Sequence, residues 1–293
     1  MHSKNGYMIS KLSIGTAQFG LDYGISNSRG IVRIKEINQI LATAKTYGIG
    51  MLDTAQAYGK SEEQIGLANS DNFKIATKIK PGIKSYEVNQ FVKESLSKLK
   101  KDNLYGVLFH NFDDYIKNPD SFEEIQNLKN TGIVEKIGFS IYLTEELEEL
   151  FLRNLNFDII QIPFNIFDQR FQPYFGELKK RGIEIHVRSV FLQGLVYLDP
   201  DKLSSHFSKF IPFFKDFRDK TIEKELTVEE VCLKFILAHS EIDHIILGVT
   251  KSNELKKNIK AVSSSEVSDA EVFESFRDYK INDEKIILPY NWK

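Results

Sequence analysis

The sequence has a single cysteine and no apolar segment long enough to cross a membrane. Cys232 has no second thiol to pair with, so no intramolecular disulfide can form and nothing indicates an oxidising compartment. The N-terminus, MHSKNGYMISKLSIG, lacks the apolar core of a signal peptide. No apolar run approaches the roughly 20 residues that span a bilayer. We therefore expect a cytoplasmic protein without a membrane partner.

A large excess of one charge and the common catalytic motifs are also missing. The 39 basic and 41 acidic residues give a net charge of −2, which predicts no nucleic-acid partner. The chain has no HExxH, paired CxxC, GxSxG or Walker motif, so the usual metal, serine-hydrolase and nucleotidase sites are not expected. We predict no metal site, and the sequence gives no signal for an oligomeric state.

The sequence does contain a regular alternation of short apolar runs and longer amphipathic segments. The short runs predict strands at 12–17, 50–55, 74–79, 105–110, 135–140, 158–163, 183–188 and 244–249. Between them, apolar residues recur at helical spacing, as from Ile34 to Ala44 and from Phe91 to Leu99. Eight such βα units without a break in composition predict an α/β fold, a single-domain (β/α)8 TIM barrel spanning residues 1–293.

Two connections are expected to lie at the C-terminal face of that barrel, where barrel enzymes carry their sites. Residues 189–226 form a long connection between the seventh strand and its helix. This connection contains five phenylalanines: Phe207, Phe210, Phe213, Phe214 and Phe217. It is interpreted either as a lid over the site or as an extra helix packed on the barrel. The segment YGISNSRG (23–30) predicts a second loop at the same face.

Four chemically active side chains fall at or just after strand ends. Asp53 closes GIGMLD, Tyr58 follows it in LDTAQAYG, Lys78 closes FKIATK and His110 closes LYGVLFH. The carboxyl ends of parallel strands meet at one face of a barrel, so these groups are predicted to share one site. A carboxylate, a phenol, an ammonium and an imidazole together suit proton transfer to a carbonyl oxygen.

The four groups suggest a division of labour. Tyr58 protonates a carbonyl oxygen if a nearby ammonium lowers its pKa from about 10. Lys78 supplies that ammonium, Asp53 holds it in place, and His110 orients the substrate oxygen. No side chain can supply a hydride, so carbonyl reduction would also require a nicotinamide cofactor.

The motifs that surround these residues resemble the aldo-keto reductases. The chain carries LSIGTAQFG, LDTAQAYG, IATKIK and LFHNFDD in the family's order, followed by GFS, QIPFN, QGL and HIILGVTKSNELKKNI. This resemblance covers essentially the whole chain and implies a (β/α)8 enzyme that uses NADPH or NADH without a Rossmann domain. It also implies that Tyr58 is the general acid, supported by Lys78, Asp53 and His110.

The resemblance also implies a set of cofactor-binding residues. Gly15, Thr16 and Ala17 match the turn under the nicotinamide ribose, beside Asp53, and Ser140 and Gln161 match the pair that binds the carboxamide. The pyrophosphate loop is matched by Ser189, Phe191, Gln193, Gly194 and Leu195. The adenosine segment is matched by Gly248, Thr250, Lys251, Leu255 and Asn258.

Three positions depart from the family pattern. Ile141 stands where an asparagine is usual, and Arg188 stands where many members stack an aromatic ring on the nicotinamide. A guanidinium can stack there too, but its charge would favour the reduced cofactor. Lys251 and the helix start near Ser252 are expected to bind a 2′-phosphate, whereas the Glu254 carboxylate would repel one. On balance NADP(H) is predicted as the cofactor, slightly ahead of NAD(H).

The motifs GTAQFGLDYG and LDTAQAYG resemble a bacterial branch associated with surface-polysaccharide and sugar metabolism. The substrate would then be a small-molecule carbonyl compound, sugar-derived, with Phe19, Tyr23 and Phe112 lining its pocket. Two alternatives use the same fold: a nicotinamide-sensing regulatory subunit with slow turnover, and a hydride-independent barrel isomerase or lyase.

Overall fold

A closed barrel of eight parallel strands forms the centre of the computed structural model, which describes residues 4–264 and 267–292. The strands are β1 (Leu12–Gly15), β2 (Met51–Asp53), β3 (Lys74–Ile79), β4 (Leu104–Phe109), β5 (Val134–Ser140), β6 (Ile159–Pro163), β7 (Glu184–Arg188) and β8 (Ile242–Gly248). Each strand pairs with its neighbours in sequence, and β8 closes the barrel against β1, with Gly15 opposite Gly248. The predicted (β/α)8 barrel is confirmed.

Helices surround the barrel. They are α1 (Lys4–Ser10), α2 (Ala17–Gly20), α3 (Ile34–Thr46), α4 (Ser61–Leu67), α5 (Val88–Leu99), α6 (Phe112–Lys117), α7 (Asp120–Asn130), α8 (Thr144–Leu152), α9 (Phe175–Lys180), α10 (Ile211–Glu223), α11 (Val228–Leu237), α12 (Ser252–Ser263), α13 (Asp269–Phe276) and α14 (Glu284–Ile287). Short 3-10 helices occupy Ser85–Glu87, Gln172–Tyr174, Leu192–Tyr197, Pro200–Lys202, Ser205–Phe210, Arg277–Tyr279 and Pro289–Asn291. Within the described ranges, no helix is long and apolar enough to cross a membrane.

Helix α3 follows the apolar spacing of the sequence, and three of the helices are followed by a glycine. Helix α3 buries Ile37, Ile40, Leu41 and Ala44 against the barrel, which is one face at helical spacing. Three glycines just after α3, α7 and α9 have positive φ: Gly48, Gly132 and Gly182, at 79°, 79° and 73°. Glycine adopts this left-handed conformation without the clash that a Cβ would cause. The chain therefore turns sharply into the next strand.

The connection after β7 is largely helical rather than an open loop. It contains three 3-10 helices and α10, and the rings of Phe214 and Phe217 are buried. These rings contact Phe167, which follows β6, with ring centroids 5.4 and 5.1 Å apart. The α10 part therefore matches the interpretation as an extra packed helix. Closure of the 189–226 connection over the cavity stays a prediction.

A polar cluster lies at the opposite, N-terminal end of the barrel. The Glu184 carboxylate accepts hydrogen bonds from Lys136, from the Tyr105 hydroxyl at 2.8 Å and from His186 Nε2 at 3.3 Å. Glu184, His186 and His244 place potential metal-ligand atoms within 4.8 Å of one another. The Lys136 ammonium, however, already occupies the place beside the carboxylate that a metal cation would take.

We predict that Glu184 stabilises the fold above the pH at which a carboxyl group ordinarily titrates. Burial alone would raise its pKa, but the hydrogen bonds from His186, Lys136 and Tyr105 outweigh burial and hold the pKa below the usual 4.5. A lowered pKa stabilises the folded state above the unfolded-state value, and this stabilisation is lost as the pH falls below it. Glu184→Gln should lower the free energy of unfolding at pH 7 by about 1–3 kcal/mol.

Urea unfolding of the wild type and the variant between pH 7 and pH 3 measures this effect. The difference between the two proteins should shrink as the pH falls below 4.5. Glu177→Gln is the control, because its pair with Arg181 lies at the surface of α9 and is expected to contribute about 0–1 kcal/mol. A Glu184 variant no less stable than the control would contradict the assignment.

Candidate active site

A cavity of about 530 Å³ opens at the C-terminal face of the barrel. Most residues predicted to bind cofactor or substrate line it: Gly15, Thr16, Ala17, Tyr23, Asp53, Tyr58, His110, Ser140, Gln161, Arg188, Ser189, Phe191, Gln193, Gly194, Gly248, Thr250 and Asn258. Loop 23–30, which was expected at this face, contributes part of the wall. The structure thus brings together residues that are as far apart in sequence as Gly15 and Asn258.

The Lys78 ammonium lies at the floor of this cavity and is fully surrounded by acceptors. It donates to both carboxylate oxygens of Asp53, at 2.8 and 2.7 Å, and to the Thr54 carbonyl at 3.0 Å. It also donates to the Tyr58 hydroxyl oxygen at 3.4 Å. Burial lowers the pKa of Lys78 and the Asp53 carboxylate opposes that shift. Three kinds of acceptor around one nitrogen are the geometry of a charged ammonium.

Tyr58 is a half-buried tyrosine whose phenolic oxygen accepts a hydrogen bond and whose proton remains available. Burial, with a further contribution from the Asp53 carboxylate, raises its pKa. This differs from the sequence-based expectation that Lys78 lowers that pKa. The reason is that burial and the Asp53 carboxylate both raise the pKa, and the cation that opposes the rise is Arg188. Tyr58 is therefore protonated at neutral pH, which a proton donor requires.

His110 faces Tyr58 with its ring edge-on, at 5.7 Å between ring centroids. Burial, together with the positive charges of Lys78 and Arg188, lowers the pKa of His110 to about 4. The ring is therefore neutral at pH 7. Its Nδ1 is buried and has no partner among the described residues, so the imidazole can still form a hydrogen bond to a bound molecule.

The turn after β2 that carries Tyr58 is fixed by close backbone packing. A Cβ at Gly20 would lie 1.8 Å from the Tyr58 carbonyl oxygen, so only glycine permits this approach of α2. Ser61 donates to the Thr16 carbonyl at 2.9 Å, and Thr16 donates to the Asp53 carbonyl at 2.9 Å. Sequence reasoning missed Gly20, which ends the motif LSIGTAQFG, and Ser61, which lies two residues after the motif LDTAQAYG.

Gln161 belongs to the pair that is predicted to bind the carboxamide, and it also contacts the catalytic residue Asp53. Its Nε2 donates to Asp53 at 2.7 Å, and its Oε1 accepts from Ser140 at 3.5 Å. Ser140 and Gln161 also lie opposite each other in the β5–β6 register. The pairing of β5 with β6 therefore sets the positions of Ser140 and Gln161 on the barrel, and the hydrogen bonds fix the orientation of the Gln161 side-chain amide.

Arg188 extends from the end of β7 across the cavity wall. Its guanidinium lies 3.9 Å from the ring centroid of Tyr142 and donates to the Ile141 carbonyl at 3.0 Å. The sequence suggested that the Arg188 guanidinium stacks on the nicotinamide ring, but in the structure it stacks on the ring of Tyr142. Sequence reasoning missed Tyr142, which stands two residues after the end of β5 and could have been found by the strand-end criterion.

Two segments meet across the cavity mouth. Gln193 donates to the Tyr23 hydroxyl at 2.7 Å, and the amide of Ile25 donates to the Gln193 carbonyl at 3.2 Å. A Cβ at Gly194 would lie 1.9 Å from Ser26 Oγ. Ser189, Leu192 and Gln193 are non-glycine residues with φ of 61°, 45° and 51°. Such backbone strain persists where surrounding contacts enforce it, often at ligand sites.

The start of α12 differs from the predicted phosphate site. The backbone amide of Ser252 donates to the Glu36 carboxylate at 2.8 Å, and that of Thr250 donates to the Glu254 carboxylate at 2.7 Å. Amides at a helix start attract anions, but here two protein carboxylates already take them. The expected 2′-phosphate contact of Lys251 and the helix start near Ser252 stays a prediction, at a place where the structure puts two carboxylates.

Six predicted residues do not line the cavity. Lys78 contacts the lining residues Asp53 and Tyr58 without lining the cavity itself. Lys251, Leu195 and Leu255 are not among the lining residues either, and the two leucine side chains are buried. Phe19 and Phe112, expected at the substrate, are part of the hydrophobic core instead, with 0% and 9% of their surface exposed. Both sit on helices, α2 and α6, where burying an aromatic ring in the core is favourable. The structure therefore does not bring these two rings to the cavity.

The chain belongs to the aldo/keto reductase family, whose model matches residues 11–277. As a member of this family it is an NAD(P)H-dependent oxidoreductase, and aldo/keto reductases act on small-molecule carbonyl compounds. The match covers all eight strands and the whole cavity described above.

Several individual proteins are similar to it. YqkF of Bacillus subtilis (strain 168), named an uncharacterized oxidoreductase, is 27% identical over 265 residues, covering 80% of this chain and 84% of that protein. The holo form of the aldo-keto reductase AKR11C1 from Bacillus halodurans has a TM-score of 0.74 at 21% identity and covers 93% of each chain. The glycerol dehydrogenase AKR11B4 from Gluconobacter oxydans has a TM-score of 0.71 at 19% identity, covering 95% and 92%. At these identities the structural likeness shows the fold alone.

Proposed function

We propose that this protein reduces an aldehyde or ketone to an alcohol, with a hydride from a reduced nicotinamide and a proton from Tyr58. One observation carries the assignment: the Lys78 ammonium donates to the Tyr58 oxygen while Asp53 balances its charge. The phenolic proton is therefore free to pass to a carbonyl oxygen. As it does so, Lys78 and Arg188 stabilise the charge that develops on the phenolic oxygen.

His110 orients the substrate in this proposal. Its ring is neutral at pH 7 and lines the cavity beside Tyr58, so an imidazole N–H can donate to the same carbonyl oxygen. Two donors then converge on one oxygen, which polarises the carbonyl carbon toward a hydride. Asp53 and Lys78 act through Tyr58, whereas Tyr58 and His110 touch the substrate.

The cavity residues fit a nicotinamide dinucleotide. Two buried polar atoms that line it, Gln18 Oε1 and His110 Nδ1, have no partner among the described residues, as expected at a site that binds a polar molecule. Ser140 and Gln161 would hold the carboxamide, the 189–194 segment the pyrophosphate, and Thr250 and Asn258 the adenosine end. When bound, this group would supply the hydride that no side chain can supply.

The contacts at α12 support NADH rather than the NADPH favoured by the sequence. Glu36 and Glu254 place two carboxylates at the helix start, where a 2′-phosphate would have to bind. Like charges at short range repel strongly in a partly buried site. The free ribose hydroxyl of NADH, by contrast, can donate to a carboxylate.

Glu254→Gln should therefore lower the ratio of the NADPH dissociation constant to the NADH dissociation constant by about tenfold. The reason is that removing one negative charge lowers the repulsion of the 2′-phosphate. Titration of intrinsic fluorescence with NADH and with NADPH measures both dissociation constants. Glu229→Gln is the matched control, because it removes a cavity carboxylate that lies on α11 rather than on α12, and it should change the ratio less. Tighter NADPH binding by the wild type would refute the cofactor assignment.

The same titration, together with an assay of aldehyde reduction, tests the proposed function. Binding of either cofactor together with reduction of 4-nitrobenzaldehyde supports carbonyl reduction. Binding without turnover would favour a sensing subunit, and no binding would favour a hydride-independent enzyme. A sugar-derived substrate and a cytoplasmic location remain predictions from the sequence.

A further inference from the structure

At the reaction end of the cavity, which is the end that holds Tyr58 and His110, the positive charges of the side chains exceed the negative ones. The Lys78 ammonium is compensated by the Asp53 carboxylate at 2.7 Å. His110 and Tyr58 are neutral at pH 7, for the reasons given above. Arg188 adds a positive charge that is permanent, because a guanidinium stays protonated in proteins. Among the described residues no carboxylate lies within 4.0 Å of its nitrogens.

The chain treats its other partly buried arginine beside this face differently. Arg170 donates to both oxygens of Asp168 at 2.9 Å and also pairs with Glu284. A charge taken from water normally needs such a partner, because the loss of hydration is otherwise uncompensated. Arg188 therefore stands out as a partly buried cation that has no counter-ion among the described residues.

The guanidinium of Arg188 is also held in a fixed position. One face stacks on Tyr142 at 3.9 Å, and Nη2 donates to the Ile141 carbonyl at 3.0 Å. The remaining contact, from Nη1 to Ser189 Oγ, is 3.5 Å long. A guanidinium has five N–H donors, so several remain for a ligand. Because the side chain is already ordered, binding an anion costs little further entropy.

The position of Arg188 points to the substrate rather than to the pyrophosphate. Its contact residues Ile141 and Tyr142 directly follow Ser140, which belongs to the proposed carboxamide pair at the reaction end. The charge of Arg188 also acts on Tyr58, Lys78 and His110. The carboxylates Glu229 and Glu254 belong to the other end, near Tyr197.

We propose that Arg188 forms an anion subsite, and that the substrates of this enzyme are carbonyl compounds carrying a carboxylate or a phosphate. The inference rests on the proposed carbonyl reduction and names its substrate class. A guanidinium binds either anion through paired N–H donors. The chemical step is the same as in the proposed function. The carbonyl carbon takes the hydride, the carbonyl oxygen takes the Tyr58 proton, and the anionic group does not react.

The test compares aldehydes that differ only in charge. 4-Formylbenzoate and its methyl ester carry the aldehyde on the same ring position with and without the anionic charge, and 4-formylphenyl phosphate distinguishes a phosphate subsite from a carboxylate one. The wild type should reduce one of the anions with a kcat/KM about 30-fold above that of the ester, as expected for a charge-assisted hydrogen bond. The difference should lie mainly in KM.

Arg188→Met should lower kcat/KM for the favoured anion at least tenfold more than for the ester, and Arg188→Lys should recover part of the difference. Arg29→Met is the matched control, since Arg29 also lines the cavity but on loop 23–30, and it should retain the charge preference. Equal use of all three aldehydes by the wild type would overturn the proposal. So would an Arg188→Met variant that loses cofactor affinity while keeping the charge preference.

A binding measurement separates this inference from the proposed function. Calorimetry with terephthalate, a dianion without a carbonyl to reduce, should show binding to the wild-type protein saturated with cofactor and at least tenfold weaker binding to Arg188→Met. Turnover of the neutral ester without this difference would refute the anion subsite and leave carbonyl reduction standing. Anion binding without any turnover would refute carbonyl reduction and leave the subsite standing.

Discussion

Replacing Tyr58 by phenylalanine should reduce kcat for aldehyde reduction by about 10³-fold, because general acid catalysis contributes about 10²–10⁴-fold. The substitution deletes one oxygen and keeps the ring that packs edge-on against His110 at 5.7 Å. Cofactor affinity should therefore change less than about twofold. Steady-state kinetics with the ester substrate and a fluorescence titration of the cofactor measure the two quantities.

Tyr23→Phe provides the matched control for that experiment. Tyr23 also lines the cavity, but its hydroxyl contacts Gln193 and not the Lys78–Asp53 pair. Its loss should reduce kcat much less than the loss of the Tyr58 hydroxyl. If the two variants retain similar activity, Tyr58 is not the proton donor.

Lys78→Met should both inactivate the enzyme and destabilise it by about 3–5 kcal/mol. Lys78 and Asp53 are 1% and 3% exposed, so neither charge can be hydrated when its partner is removed. Deleting the ammonium leaves the Asp53 carboxylate buried without an opposite charge. Chemical denaturation measures the loss in the free energy of unfolding.

The double variant Asp53→Asn with Lys78→Met separates stability from catalysis. It removes both charges, so much of the lost stability should return, since replacing a buried ion pair by neutral groups is often nearly neutral. Activity should stay low, because nothing then donates to the Tyr58 oxygen. Recovery of activity together with stability would show that Lys78 has only a structural role.

The sequence predicted those parts of the molecule that depend on local signals. Strand ends, glycines after helices and the residues that follow each strand are set by neighbours in the chain. For this reason the eight strands and the grouping of Asp53 and Tyr58 around Lys78 could be anticipated.

Contacts between distant segments could not be anticipated in this way. Glu36 reaches the amide of Ser252 across 216 positions of sequence, and no local pattern records that pairing. Phe19 and Phe112 are apolar residues on short helices, whose rings can face either the core or a cavity. The pKa of Tyr58 was expected to fall because only the nearest cation was considered, whereas burial of the phenol decides its direction.

The pairing of β1 with β8 has a consequence for the synthesis of this protein. Gly15 and Gly248 face each other across the last seam of the barrel, so a ribosome has released most of the chain before the first strand finds its second neighbour. Until then one edge of β1 stays open and the cofactor cavity lacks a wall. A nascent chain therefore cannot gain stability from its nicotinamide, and truncation before β8 should leave an aggregation-prone intermediate.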